Sequence, residues 1–446
     1  MNASLSHGDA AGALRGASVC FVTLGCAKNE VDTRDMKRAL REAGYEVDAD
    51  PETADCVVVN TCSFIQAATE ESIDAILEAA ELPGIACGEV PLIVTGCMPA
   101  RYGDELADEF EEVRAFVPCS KEDDIVAVVE SVLPQRGASA EGEGEGASVF
   151  PDESQVFAYV KIADGCDRFC SYCTIPYIRG RYHSFAPADI EAEVASCVEA
   201  GAREIVLIAQ DTGRYGRDLD EPRTLAWLLE RLAKAHPDTW FRIMYIQPEG
   251  IDDELLDCVA SHDNICSYFD IPLQHVDADI LARMNRSGSR AEYEKLLSHI
   301  VEKVPNVALR TTLLCGFPGE TEEAFEDLCD FVEEAPLDYI GVFAYSREEG
   351  TAAYDMPDQV DDDEKAARAQ RLRDTADAVC AARIAERVGR TMDVLVEGSE
   401  EDGQLFGRAQ CQAPEVDGVT YIEEGVPGEV RAVRIIDTLL YEMEGE

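Results

Sequence analysis

Residues 163–181 read ADGCDRFCSYCTIPYIRGR and place Cys166, Cys170 and Cys173 in a CxxxCxxC spacing directly after a strand-like run at 157–162. Three thiolates this close together call for a metal. Soft sulfur ligands select zinc or an iron–sulfur cluster, and a structural zinc normally closes its shell with a fourth Cys or His. No fourth ligand lies within the loop. The spacing therefore points to a 4Fe–4S cluster with one iron left open for a substrate or cofactor, with a zinc knuckle completed by a distant ligand as the alternative. Outward from the loop, strand-like runs recur at 204–210, 241–247, 268–273, 309–316 and 339–345, and helical patterns fill 187–200, 224–236, 252–261, 290–304 and 321–335. Six β/α units predict a partial TIM-like (β/α)6 barrel, whose chemistry belongs on the loops after the strands. The cysteine loop occupies that position after the first strand.

Other polar groups reach the same rim. Gln210, Asp211 and Thr212 end the second strand, Gln247 the third, and Gln274 and His275 the fourth; Arg310 lies on the fifth, which runs into Cys315-Gly316-Phe317-Pro318-Gly319-Glu320. With Tyr172 just before its last cysteine, the loop resembles the radical S-adenosylmethionine (SAM) superfamily. That resemblance implies that the open iron chelates the amine and carboxylate of S-adenosyl-L-methionine, whose reductive cleavage gives a 5'-deoxyadenosyl radical. It also implies that Gly316 and Gly319 form a turn beside the adenine. Tyr172, Gln210, Gln274, Arg310, Gly316 and Gly319 are the expected cofactor-binding residues.

Before the barrel, residues 19–133 alternate apolar runs (19–24, 56–60, 92–95 and 115–118, with a weaker one at 45–48) with helical patterns at 32–43, 67–81, 101–110 and 121–133. Apolar strands separated by helices read as a doubly wound parallel α/β domain. Three strands end alike, in Leu24-Gly25-Cys26, Asn60-Thr61-Cys62 and Thr95-Gly96-Cys97. Parallel strands bring those thiols to one edge, where such sheets bind ligands. Cys119 also follows a strand and rivals them as a ligand. The stretch 137–148, GASAEGEGEGAS, reads as a flexible acidic linker. After the barrel come one long helix at 361–388 and strand-like runs at 391–396, 405–409, 419–422, 429–435 and 438–441, which predict a small OB-like β-barrel. The expected domains are 17–136, the linker 137–150, 151–388 and 389–446.

The 446 residues carry 38 Lys+Arg against 90 Asp+Glu, a formal net charge of -52. Such a balance disfavours a phosphate backbone as ligand, so direct nucleic-acid binding is not expected and a basic protein partner suits the chain better. The terminal barrel follows the trend, with four Arg, no Lys and fourteen acidic side chains in 390–446. Seventeen cysteines would scramble in an oxidising compartment. No signal-peptide pattern opens the chain and no run approaches the ~18 apolar residues of a membrane span. A cytoplasmic protein without membrane contact is expected.

Taken together, VTLGCAKNEVD, VVNTCSF and VTGC before the cysteine loop and a small β-barrel after it make the chain similar to the methylthiotransferase family of radical SAM enzymes. The resemblance implies two 4Fe–4S clusters, with Cys166, Cys170 and Cys173 holding the radical one and Cys26, Cys62 and Cys97, rather than Cys119, the auxiliary one; the terminal barrel is then TRAM-like. AQDTGRYG at 209–216, YFDIPLQH at 268–275 and APEVDGVTYI at 413–422 resemble the branch that methylthiolates an aspartate β-carbon of the small-subunit ribosomal protein twelve. TIPYIRGR at 174–181 is closer to the branch that modifies an adenosine of transfer RNA, which stays as the alternative. A non-catalytic iron–sulfur electron carrier is the reading from another class. The family implies an electron donor such as flavodoxin or ferredoxin and a sulfur donor, and a monomer is expected.

Overall fold

The computed structural model describes residues 16–133 and 156–446, so the expected linker lies outside the described residues. The chain divides into two compact units. The first holds the described residues up to 133 together with Thr174–Gly180, and the second holds 156–173 and Arg181–Glu446.

In the first unit, strands β1 (Ser18–Thr23), β2 (Glu46–Val47), β3 (Cys56–Thr61), β4 (Leu92–Gly96) and β5 (Val113–Pro118) form one sheet in the order β2-β1-β3-β4-β5, parallel throughout. Every residue of β3 and β4 is buried. Successive side chains of a strand face opposite sides, so Val57, Val59 and Val94 enter one core with Ile76, while Val19, Val58 and Ile93 enter another with Leu40 and Val129. Two helical expectations need correction. The first helix runs Ala27–Ala43, five residues earlier than its apolar pattern suggests, because its opening turn buries the polar Lys28, Asn29 and Asp32. The pattern at 101–110 is a broken element, Cys97–Tyr102, a 3-10 turn Gly103–Glu105 and Leu106–Glu109, interrupted where Gly103 takes φ 58°.

The second unit opens with β6 (Phe157–Lys161). A short antiparallel ribbon, β7 (Ala163–Asp164) with β8 (His183–Ser184), pairs the chain before and after the cysteine loop. Strands β9 (Glu204–Ile208), β10 (Trp240–Ile243), β11 (Tyr268–Asp270), β12 (Ala308–Cys315) and β13 (Tyr339–Ala344) complete six parallel strands, with β10 joined to the β11 side through a Phe241–Ile265 bridge. The third strand ends at Ile243 rather than near 247, since Tyr245 turns to φ 60° and gives its N–H to the Asp270 carboxylate. Helix Asp362–Ala385 leads to β14 (Thr391–Ser399), β15 (Leu405–Ala409), β16 (Thr420–Ile422), β17 (Val430–Leu439) and β18 (Glu442–Gly445), closed in the order β14-β15-β16-β18-β17. The runs at 429–435 and 438–441, expected as two strands, are one strand with a bulge between Ile435 and Asp437; the chain turns at Leu440, where φ is 54°.

Buried ion pairs join this small barrel to the large one. Glu204 accepts from Arg242 and from Arg408, both at 2.6 Å, and Arg408 also pairs with Glu397. Asp417 accepts the Tyr268 hydroxyl at 2.6 Å and Arg310 Nε at 3.2 Å. Burial alone would push Glu204 up, but the two guanidiniums overcome it and hold the carboxyl below its ordinary value.

Candidate functional sites

The CxxxCxxC loop is clamped at its base. Ser171 donates its N–H to Met284 and its hydroxyl to Arg283, and the Asn285 amide donates to the carbonyls of Arg168 and Phe169, each at 2.8–3.0 Å. Phe169 takes φ 49° within the loop, a strained conformation that such clamps sustain. Cys166 is buried and Cys170 and Cys173 are half-buried. The next segment supplies a group that the sequence reading missed: the half-buried Arg286 guanidinium stands 3.9 Å from Cys170 Sγ and donates to Gln247 Oε1 and the Pro272 carbonyl, both at 2.7 Å. Its Nε is buried without a partner.

The expected cofactor residues are placed as follows. Tyr172 meets Phe317 edge-on, with ring centroids 6.4 Å apart. Gln210 donates to Asp164 at 2.8 Å and keeps a buried, unpaired Oε1. Gln274, at φ 72°, exchanges backbone hydrogen bonds with Thr312 and Leu314. Gly316 (φ 72°) gives its N–H to Glu320, which also faces His275 Nε2 at 3.4 Å, and Gly319 (φ 88°) gives its N–H to the Asp358 carbonyl. Positive φ at both turn glycines explains the residue type. Arg310 sits near the start of β12, where its guanidinium pairs with Asp270 and with Asp417 of the small barrel, both at 3.2 Å. On the rim proper, Arg168 pairs with the buried Asp211 at 2.7 Å and with Arg214, Arg217, Glu249 and Gly250 lines a cavity of about 240 Å³, a basic recess in an acidic chain.

In the first unit, Cys26 caps helix Ala27–Ala43, Cys62 follows β3 and Cys97 opens the short helix after β4. Close backbone approach holds these turns together: a Cβ on Gly25 (φ 101°) would stand 2.7 Å from Cys62 Cβ and 3.2 Å from its sulfur. Asn29 knits the edge, donating to the carbonyls of Leu24 and Thr61 at 2.8 and 3.0 Å while its Oδ1 lies 3.9 Å from Cys97 Sγ. Arg179, from the heptapeptide Thr174–Gly180, reaches the same Oδ1. Cys119 stands apart in its bonding, with its thiol 3.3 Å from the Ile178 carbonyl.

Burial pushes the thiols of Cys62, Cys97 and Cys166 up; the Phe64 N–H, the Arg179 guanidinium and the Arg168 N–H respectively act the other way. Such donors favour the thiolate that a soft metal requires. Among the described residues no group of three Cys, His, Asp or Glu side chains is arranged around a single metal ion. A cubane cluster distributes its cysteines over separate irons and does not need three of them around one ion, so the all-sulfur chemistry of each trio suits it.

Residues 18–118 match an uncharacterized protein family, UPF0004, residues 160–332 the radical SAM superfamily and residues 388–446 the TRAM domain. Among solved structures, the radical S-adenosylmethionine methyltransferase TsrM from Kitasatospora setae aligns with a TM-score of 0.56 at 16% identity, covering 74% of this chain and 72% of that one. The cobalamin-dependent enzyme OxsB aligns with a TM-score of 0.51 at 13% identity, over 76% and 55%. These likenesses concern the fold. Proteins named ribosomal protein uS12 methylthiotransferase RimO are much nearer: that of Geobacter sulfurreducens is 42% identical over 440 residues, 96% of this chain and 98% of its own length, and that of Natranaerobius thermophilus 40% identical over 446 residues, 96% and 98%. With matches of that depth over nearly its full length, the chain belongs to the RimO family of radical SAM methylthiotransferases.

Proposed function

We propose that this chain transfers a methylthio group to ribosomal protein uS12, at the β-carbon of an aspartate side chain. The observation that carries the reading is the 42% identity, spanning 96% of the chain, to a relative of that name. When bound, a 4Fe–4S cluster and S-adenosylmethionine supply a radical able to take hydrogen from an unactivated carbon, which no side-chain base removes at neutral pH.

The protein's own groups do the rest. Cys166, Cys170 and Cys173 would hold the radical cluster, with Arg286 beside the Cys170 sulfur. Tyr172, Gln210, Gln274, Gly316 and Gly319 line the S-adenosylmethionine site, where the unpaired Oε1 of Gln210 is an acceptor waiting for a ligand donor. Cys26, Cys62 and Cys97 would hold the second cluster, which when bound would supply the sulfur, and Cys119 is not a ligand. An acidic chain of net charge -52 favours encounter with a basic substrate protein. Turnover draws electrons from a flavodoxin or ferredoxin and sulfur from a separate donor, and the enzyme acts as a cytoplasmic monomer. Among the described residues no helix is long and apolar enough to cross a membrane.

Anaerobic turnover with S-adenosylmethionine and a reductant, offered uS12 and unmodified transfer RNA in separate reactions, tests the proposal by mass analysis. A methylthio adduct on a uS12 aspartate is the expected product. An adduct on the RNA base would replace the substrate assignment, and intact S-adenosylmethionine throughout would leave an electron carrier.

A further inference from the structure

Arg179 is six residues past Cys173 yet belongs to the first unit. Its side chain and that of Asp32 are each only 3% exposed. A single nitrogen, Nη2, donates to Asp32 Oδ2 at 2.8 Å and to Asn29 Oδ1 at 2.9 Å, and stands 4.0 Å from Cys97 Sγ. Burying a guanidinium costs several kcal/mol unless it is well paired, so a position like this needs a reason beyond packing. The reason is legible in what surrounds it. Asn29 is the same side chain that ties the Cys26 turn to the Cys62 turn, through the carbonyls of Leu24 and Thr61. Arg179 thus bonds a residue that bridges all three cysteine turns and, with both Nη2 hydrogens directed at Asp32 and Asn29, stands beside the Cys97 sulfur as a fixed charge.

We infer that Arg179 is a positioning residue for the second cysteine site, a fixed positive charge that stabilises anionic sulfur at Cys97 and raises the reduction potential of a cluster bound there. The inference rests on the proposed reading of Cys26, Cys62 and Cys97 as cluster ligands. Asp32 partly offsets the guanidinium, and this gives the idea a signature that packing alone lacks. Removing the cation makes reduction harder, whereas removing its counter-anion makes reduction easier, because each substitution changes the field at the sulfur with opposite sign.

The test uses full-length protein carrying Cys166→Ala, Cys170→Ala and Cys173→Ala, so that only the second site is able to take a cluster. Iron per chain and the midpoint potential are read after anaerobic reconstitution. About four irons per chain are expected in this parent. Added Arg179→Gln is expected to shift the potential to more negative values, Asp32→Asn to more positive values, and Arg179→Lys to stay near the parent. Should Arg179→Gln fail to hold iron, Asp32→Asn decides alone by the sign of its shift. Unchanged potentials, or shifts of one sign for both substitutions, would overturn the role of Arg179 and leave the cluster in place. A parent that binds no iron would instead overturn the cluster reading, and the inference with it.

Discussion

Arg286 approaches the sulfur of Cys170 and Arg179 that of Cys97, and neither lies within the CxxxCxxC spacing or a strand-end cysteine turn. Outer groups of this kind commonly change metal affinity or activity by about 10–100-fold. Arg286→Ala should lower 5'-deoxyadenosine formation by about that factor, with Arg286→Lys losing less, as measured in single-turnover assays alongside iron content. Gly25→Ala is the complementary case. Its Cβ would intrude on Cys62 at a φ that side chains rarely adopt, so iron bound by the Cys166→Ala/Cys170→Ala/Cys173→Ala protein should fall while the radical cluster of the otherwise unaltered chain is spared. The cysteines were legible in sequence because their chemistry is written locally, in one loop or in three similar strand ends. Arg286 was not, since it lies 116 residues from the sulfur it approaches and looks like any of 38 basic residues. Arg179 stands in the quoted stretch 174–181 without any local sign of a role, and only the fold brings Asn29 and Asp32 to it.

At the scale of elements, apolar periodicity located every parallel strand but misjudged those ends where polar groups take over. Helix Ala27–Ala43 begins by burying Lys28, Asn29 and Asp32, which an amphipathic pattern excludes, and that start builds the cysteine edge. The junction between the two barrels was likewise invisible, because Glu204, Arg242 and Arg408 are separated by up to 204 residues. Glu204→Gln would leave two buried guanidiniums short of a counter-charge, and a loss of about 3–5 kcal/mol is expected from denaturant unfolding of the second unit. The sign of its pH dependence follows. Glu204 is held below its ordinary value in the fold, so its contribution is present above the ordinary carboxyl range and is lost as the pH falls through the depressed value. Acid unfolding of the parent should therefore be steeper than that of Glu204→Gln, with the two stabilities converging at low pH.

For the molecule as a whole, the excess of 90 acidic over 38 basic side chains sets an electrostatic prediction. If a basic ribosomal protein is drawn in by this field, its KM should rise steeply as salt is increased from about 0.05 to 0.5 M, while kcat changes little, because screening shortens the reach of the attraction. A flat KM would assign the acidity to background adaptation. The parallel sheet, the larger barrel and the small closed barrel were all legible from strand spacing, whereas the assignment of Thr174–Gly180 to the first unit was not, since nothing in a linear reading lets a heptapeptide belong to a neighbour. That borrowed heptapeptide bears on how relatives of this protein are recombined. A chimera joined at the stretch before residue 154 would exchange the first unit without its Arg179, leaving the incoming Asp32 against whatever residue the recipient's loop supplies at that place. Swaps between relatives should succeed best when the seven residues travel with the sheet they serve, so the transferable piece is two stretches of chain and not one.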